Sequence, residues 1–313
     1  MRAITIAGFH AEPELTERPV PEPGPGEVLV NLAAAGVNPF DIKLVDGALR
    51  AVVDHPFPIV LGSDGAGTVE RVGPDTTGFT EGERVFGQFM DVAHGRGSFA
   101  EYAVVGAGKL APIPEAISFD AAAALPTAGS AGHDFVEETG IGPGQTLFIN
   151  GASGAVGQAA VQLAVAKGAR VVATTSPAAA DYMRELGASV LIDYTAAPTV
   201  GQVRAACPEG VDAIIDVITL PGELEEILGL LKDGGIVVSS NGAVDRDELE
   251  DRGLRGTNAF ANATPRTLSF LSESVADGDL KIRIAETTPL AEAPAALERL
   301  KNGEVNGKII LSI

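Results

Sequence analysis

The sequence predicts an α/β protein built from a small, turn-rich β-barrel and a doubly wound parallel sheet of six strands. Three features predict it. The first 119 residues carry short β-branched runs separated by glycine and proline turns. From residue 120, six β-branched runs alternate with helix-period segments, the pattern of a parallel sheet covered on both faces. The first of those runs ends in a glycine-rich turn that opens a helix. A chain of 313 residues is long enough for both parts.

In order, Ile4-Thr5-Ile6 alternates into a first strand. Arg18 to Glu27 holds four prolines and two glycines and cannot be helical. Strands follow at Glu27–Ala34, Ile59–Leu61, Ala66–Val72, Arg84–Phe86 and Phe99–Val105, with Gly73-Pro74 and Glu81-Gly82 as turns. Helices are expected over 121–125 and 129–139. The parallel strands are expected at 146–150, 170–175, 190–193, 212–218, 236–240 and 255–260. Helices are expected between them at 155–167, 178–186, 199–207 and 222–232. Gly168 and Gly187 follow helix ends, while Pro177 and Pro221 stand near helix starts. In the tail, Thr264-Pro265 opens a helix to Ala276, Lys281–Ala285 is a strand, Pro294–Lys301 a helix and Lys308–Ile313 a last strand. The sheet is complete by residue 262, so the tail is expected to return to the barrel. The expected domains are 1–119 with 263–313, and 120–262.

The stretch Thr146 to Ser176 reads as strand, tight turn, helix, strand. Its turn is Gly151-Ala152-Ser153-Gly154-Ala155-Val156-Gly157. Small residues at 151–154 let the backbone approach a pyrophosphate, and the first helical N–H groups then point at it with the positive end of the helix dipole behind. Gly157 lets the helix pack closely on its strand. This is a dinucleotide site, the alternative being a glycine-rich turn that binds nothing.

Composition excludes several other classes. The net charge of −20 repels nucleic acid and anionic membranes, and its carboxylates are scattered as a solubilising surface. With no Trp and three Tyr there is little to stack bases on. No apolar run is long enough to span a membrane, and Met1 to His10 lacks the apolar core of a signal peptide. Cys207 is the one cysteine, so no internal disulfide forms. A cytoplasmic protein is expected.

Six segments carry a resemblance: Ala35-Gly36-Val37-Asn38-Pro39-Phe40-Asp41, Leu61-Gly62-Ser63-Asp64-Gly65-Ala66-Gly67, Gly95 to Tyr102, Leu125-Pro126-Thr127-Ala128-Gly129, Asn150 to Gly157, and Gly303 to Ile310. Together they make the chain similar to the medium-chain dehydrogenase/reductase superfamily, in its zinc-free quinone oxidoreductase branch. The resemblance implies a GroES-like barrel as catalytic domain, a Rossmann domain for the cofactor, and a homodimer. The free edge of the sixth parallel strand, Arg255 to Ala259, also calls for a partner.

The zinc-dependent branch carries Cys where this chain has Asn38, and Gly-His-Glu where it has Gly62-Ser63-Asp64. A catalytic zinc needs three Cys, His or carboxylate ligands, and only Asp64 qualifies here. His10, His55, His94 and His133 are isolated in sequence. No metal is expected, and without that Lewis acid the remaining chemistry is direct hydride delivery to quinones or α,β-unsaturated carbonyls.

An NAD site places an acidic residue at the end of its second strand, about 20 residues past the glycines. Here that position is Thr174-Thr175-Ser176, with no carboxylate, which favours a 2′-phosphate and so NADPH. Relatives often carry a lysine where this chain has Ala179; Arg184 is a substitute, and Tyr194 matches a tyrosine near the adenosine end. By position, the resemblance also gives cofactor contacts to Thr127, Val217-Ile218-Thr219, Asn241-Gly242 and Phe260-Ala261-Asn262, each of which could equally be strand-end packing.

Catalytic candidates are Lys43, Asn38 and Asp64. Asn38-Pro39-Phe40-Asp41-Ile42-Lys43 fits a pattern of alkenal/one reductases and chloroplast-envelope quinone oxidoreductases. Lys43 would bond the nicotinamide ribose or donate to the carbonyl oxygen as charge develops; its plain alternative is a surface lysine paired with Asp41 or Asp46. Asn38 would orient substrate or cofactor, or cap a turn. Asp64 would sit at a cleft floor, or be a buried carboxylate satisfied by donors. The expected function is NADPH-dependent reduction of quinones or enones. The rivals are a pathway-specific enoyl reductase and a non-catalytic, crystallin-like nucleotide-binding protein.

Overall fold

The computed structural model describes residues 1–51 and 53–313. The chain divides into two compact units, Met1–Thr127 with Ala263–Ile313, and Ala128–Asn262.

The second unit is a six-stranded, all-parallel sheet. From edge to edge its strands are Val190–Asp193, Arg170–Thr175, Thr146–Asn150, Val211–Asp216, Leu231–Ser239 and Arg255–Asn258. In order of sequence that is third, second, first, fourth, fifth, sixth, the doubly wound order with its switch point beside the first strand. Successive residues of each strand serve opposite layers. Leu147, Ile149, Val171, Ala173 and Ile215 pack with Ala160, Val161, Ala164 and Met183 on one face. Phe148, Val172, Ile214 and Val237 pack with Val203, Leu224, Leu228 and Leu249 on the other. Continuous β-branched runs arise because both faces are covered.

The helix expected over 222–232 is shortened to Glu225–Leu228. Gly229 ends it, and from Leu231 the chain is already paired with Val211 in the sheet, so sheet pairing wins over helix period. A short helix at Arg246–Asp251 was not expected; Asp245 caps it by accepting from the amides of Asp247 and Glu248.

The first unit is antiparallel apart from one parallel pair. A three-stranded sheet joins Glu14–Glu17, Arg2–Ile6 and Ile59–Val60. A larger sheet runs Ile284–Pro289, Lys308–Ser312, Glu27–Gly36, Asp64–Val72, Arg84–Gln88 and Leu110–Pro112, with Tyr102–Gly106 also on Glu27–Gly36. The C-terminal strand lies antiparallel to Glu27–Gly36, with Ile310 opposite Gly36. Val28, Val30, Val69, Val85 and Val105 fill one side of this sheet. Ala34, Ala66 and Phe86 fill the other, under Ala122, Ala123, Leu125, Leu268 and Leu271.

Residues 120–127 therefore group with the barrel, whereas the sequence reading began the nucleotide domain at 120. The physical reason is close packing of the helix Phe119–Ala123: a Cβ on Gly36 would lie 2.4 Å from the Ala123 carbonyl oxygen. The tail helix starts at Pro265 with the Thr264 hydroxyl accepting from the Thr267 amide at 3.1 Å.

Candidate functional site

The glycine turn closes the first parallel strand of the second unit. Gly151 has φ +90°, and a Cβ there would lie 2.5 Å from Val217 Cγ2. A Cβ on Gly157 would lie 2.5 Å from Ala152 Cα, so this glycine sets how closely the helix Ala155–Ala166 meets its strand. Gly154 is different. Its φ of −76° suits any residue, and a Cβ would meet only the Gly151 carbonyl oxygen at 3.5 Å. Neither conformation nor packing within the chain requires glycine at this exposed position. Glycine there leaves the backbone open to a ligand, and the helix it caps offers its first-turn amides with no side-chain cap over them. The residues present fit a dinucleotide pyrophosphate.

The second strand supports the turn. The Thr174 hydroxyl accepts from the Gly151 amide at 2.8 Å and the Ala152 amide at 3.4 Å. The Thr175 hydroxyl donates to the Ser176 carbonyl at 3.1 Å. Both threonines are buried, so of the expected 2′-phosphate contacts only Ser176 has partly exposed surface. Ala179 is buried, and Arg184 pairs with Asp181 at 2.7 Å on the surface. Tyr194 is exposed just beyond the third strand.

The fourth strand ends in a network that sequence reasoning missed. The buried Asp216 carboxylate accepts from the amides of Ile218 and Thr219 at 3.1 and 2.7 Å, from the Thr219 hydroxyl at 2.6 Å, and from Asn150 Nδ2 at 2.9 Å. Asn241 Nδ2 donates to the Thr219 carbonyl at 3.3 Å, and the Ser239 hydroxyl accepts from the Asn241 amide at 3.2 Å. Val217 is thereby held over Gly151. Around this edge Ile218, Leu220 and Phe260 leave large apolar side chains exposed, Phe260 at 76 %. Gly242 follows with φ +74°.

In the barrel unit the catalytic candidates separate. Asn38, Asp41, Asp64 and Lys308 are all buried and bonded together. Lys308 Nζ donates to Asn38 Oδ1 at 2.6 Å, Asp64 Oδ2 at 3.0 Å and the Val37 carbonyl at 3.1 Å. Asn38 Nδ2 donates to Asp64 Oδ2 at 3.0 Å and the Gly36 carbonyl at 3.2 Å. Asp64 Oδ1 accepts from the Thr127 amide at 3.0 Å and its hydroxyl at 2.6 Å. The side chains of Asn38 and Asp64 are thus bonded to each other and to Lys308 in the interior of this unit. Lys43 instead stands on the exposed face of the helix Pro39–Val45.

Asp41 Oδ2 accepts from the Asn38 amide at 2.8 Å, while Oδ1 is buried with no hydrogen-bond partner at bonding distance among the described residues. Burial pushes the Asp41 carboxyl up to about 7, helped by the Asp64 charge, against the Asn38 amide and the Lys308 ammonium. Sequence reasoning missed Lys308 because a charged residue opening an apolar strand reads as exposed. Its signal was the Gly307-Lys308 pair inside a segment that carried the resemblance. Among the described residues no group of three or more His, Cys, Asp or Glu side chains is placed to hold a metal ion. Nor, among them, is any helix long and apolar enough to cross a membrane.

Residues 24–115 match the alcohol dehydrogenase GroES-like domain family, and residues 186–311 the family described as zinc-binding dehydrogenase. The chain is 31% identical to a chloroplastic quinone-oxidoreductase of Triphysaria versicolor over 99% of its own length and 98% of that protein. It is 34% identical to the chloroplastic NADPH-dependent alkenal/one oxidoreductase of Arabidopsis thaliana, covering 93% of this chain and 73% of the other. The solved quinone oxidoreductase of Coxiella burnetii superposes with a TM-score of 0.90 at 27% identity, over 100% of this chain and 99% of that one. With this fold, this order of domains and this end-to-end identity, the chain belongs to the medium-chain dehydrogenase/reductase superfamily of nicotinamide-dependent oxidoreductases, in its quinone oxidoreductase-like branch.

Proposed function

We propose that the protein reduces quinones or α,β-unsaturated carbonyls with hydride from NADPH, without zinc. The observation that carries this reading is the Lys308 ammonium, bonded to both Asn38 and Asp64. Those are positions where the zinc-dependent branch has metal ligands, and here the positive charge they face comes from the chain itself. The bound nicotinamide supplies the hydride. The amides at Gly154 to Gly157 would hold its pyrophosphate, Ser176 and Tyr194 its adenosine end, and Val217, Asn241, Gly242 and Phe260 its nicotinamide end. Lys43 donates toward the oxygen of the acceptor as negative charge develops. The absence of a carboxylate at Thr174 to Ser176 favours the 2′-phosphate of NADPH over the free hydroxyl of NADH.

We place a second copy of the chain on the edge of Arg255–Asn258, which among the described residues pairs only with Leu231–Ser239. A soluble cytoplasmic dimer accords with the acidic surface. The test of function is the rate of NADPH and NADH oxidation against a panel of quinones, alkenals and cyclic enones. NADPH should be preferred for the acceptors that turn over. A preference for NADH throughout overturns the cofactor assignment, and no turnover with intact cofactor binding overturns the enzymatic reading.

A further inference from the structure

Among the described residues three carboxylates are fully buried, Asp41, Asp64 and Asp216. Asp64 has the Lys308 ammonium at 3.0 Å, and Asp41 lies in the same cluster. Asp216 belongs to the parallel-sheet unit, and among the described residues it has no ion-pair partner. Its four partners are neutral donors: the Ile218 and Thr219 amides on Oδ1, and Asn150 Nδ2 and the Thr219 hydroxyl on Oδ2. These dipoles satisfy the oxygens but leave the net charge in place, and a dipole's field falls off faster than a charge's. An asparagine would accept the same two amides, and its Nδ2 would meet the Asn150 oxygen after a turn of that amide. The loop alone therefore gives no reason to bury a charge.

The fold sets where this charge stands. The sheet order puts the switch point between the first and fourth strands, with the glycine turn at its mouth. A dinucleotide centred there lays its adenosine half over the second strand, so its other half passes over the fourth. A Cβ on Gly151 would lie 2.5 Å from Val217 Cγ2 and 2.9 Å from Ile218 Cγ2, so the two residues after Asp216 flank the turn on that side. We propose that Asp216 is a fixed counter-charge for the oxidised nicotinamide. This rests on the reading of the protein as a nicotinamide-dependent reductase. When hydride, a hydrogen with its two bonding electrons, passes to the acceptor, the nicotinamide ring goes from neutral to cationic, and the reduced acceptor takes one proton from solvent. A buried anion on that side of the switch point stabilises the cationic ring and leaves the neutral one unchanged, which favours delivery of hydride. The phosphates are common to both redox forms, so their repulsion by Asp216 cancels when the two forms are compared.

The test is the ratio of dissociation constants for NADP+ and NADPH, read by fluorescence titration of NADPH and its displacement by NADP+. Asp216→Asn should weaken NADP+ relative to NADPH about fivefold, the order expected of one buried charge acting through a protein interior. An aspartate that only shapes the loop predicts that both forms lose affinity by one factor. Thr219→Val, which removes a donor but keeps the charge, should behave in that way. An unchanged ratio in folded Asp216→Asn overturns the proposal, as does a ratio that moves equally in Thr219→Val.

If Asp216→Asn does not fold, Asn241→Asp decides. It sets a second carboxylate just past the end of the fifth strand and must tighten NADP+ relative to NADPH; an unchanged or opposite ratio overturns the proposal. A protein that binds the pair but reduces no acceptor loses its functional reading, while the ratio still tests Asp216. The same ratio is read with NAD+ and NADH if these bind instead, and binding of neither pair overturns both readings.

Discussion

The Thr174 hydroxyl accepts the amide hydrogen of Gly151 at 2.8 Å and so ties the second parallel strand to the turn after the first. Thr174→Val keeps the shape and removes the acceptor, leaving the Gly151 and Ala152 amides without it. A loss of about 1–3 kcal/mol in stability is expected, with weaker cofactor binding. Thr174→Ser should retain both. Thermal melts with and without NADPH check this, and equal behaviour of the two variants would contradict it.

Gly154 and Gly157 should answer differently to the same substitution. Gly154→Ala meets nothing closer than 3.5 Å and should melt like the wild type, while binding dinucleotide about tenfold more weakly because the methyl stands where the phosphate approaches. Gly157→Ala drives a methyl to 2.5 Å from backbone and should lower the melting temperature. Unchanged NADPH affinity in Gly154→Ala would remove the turn from the binding site.

Lys43 is exposed on its helix, so Lys43→Ala should change stability by no more than about 1 kcal/mol, the range of an exposed ion pair. Its effect should fall on turnover, with most of kcat lost. Steady-state rates with NADPH and a reactive enone read this out. Full activity would take Lys43 out of the mechanism.

Asp41 makes stability depend on pH in a defined direction. Its folded carboxyl is raised to about 7, so between the ordinary carboxylate range and 7 the folded state holds a proton that the unfolded chain releases. The contribution is fully present below the unfolded value and is lost as pH rises to about 7. Asp41→Asn mimics the protonated form. The melting temperature of the variant should gain on the wild type as pH goes from about 5 to 8. Parallel curves for the two proteins would refute the assignment.

Pairing across Arg255–Asn258 predicts a dimer. Light scattering should give about twice the 31.9 kDa chain mass, and a monomer at all concentrations would remove the proposed edge contact.

The parallel sheet was legible because burial on both faces writes continuous β-branched runs, and the first three of its strands were placed to the residue. The helix at 222–232 misled because Leu224, Ile227 and Leu228 do fall on one helical face, yet Leu231 onward is claimed by the sheet. The turn was readable from its glycines, whereas the use of Thr174 was not: a hydroxyl on the neighbouring strand, 23 residues along the chain, leaves no local trace. Asn38 and Asp64 were visible as unusual residue types. What they do was hidden, since Lys308 sits 270 residues from Asn38 and 244 from Asp64.

That separation has a consequence for how the protein is made. As the chain leaves the ribosome, everything the parallel sheet needs is present by residue 262, while the barrel lacks the ammonium its Asp64 carboxylate faces until residue 308 has appeared. A barrel closed earlier would bury that carboxylate with no cation beside it, so premature closure is disfavoured by the charge itself. The order of assembly is therefore written into the sequence as a late-arriving lysine: the inserted unit can settle first, and the barrel that surrounds it in sequence closes last.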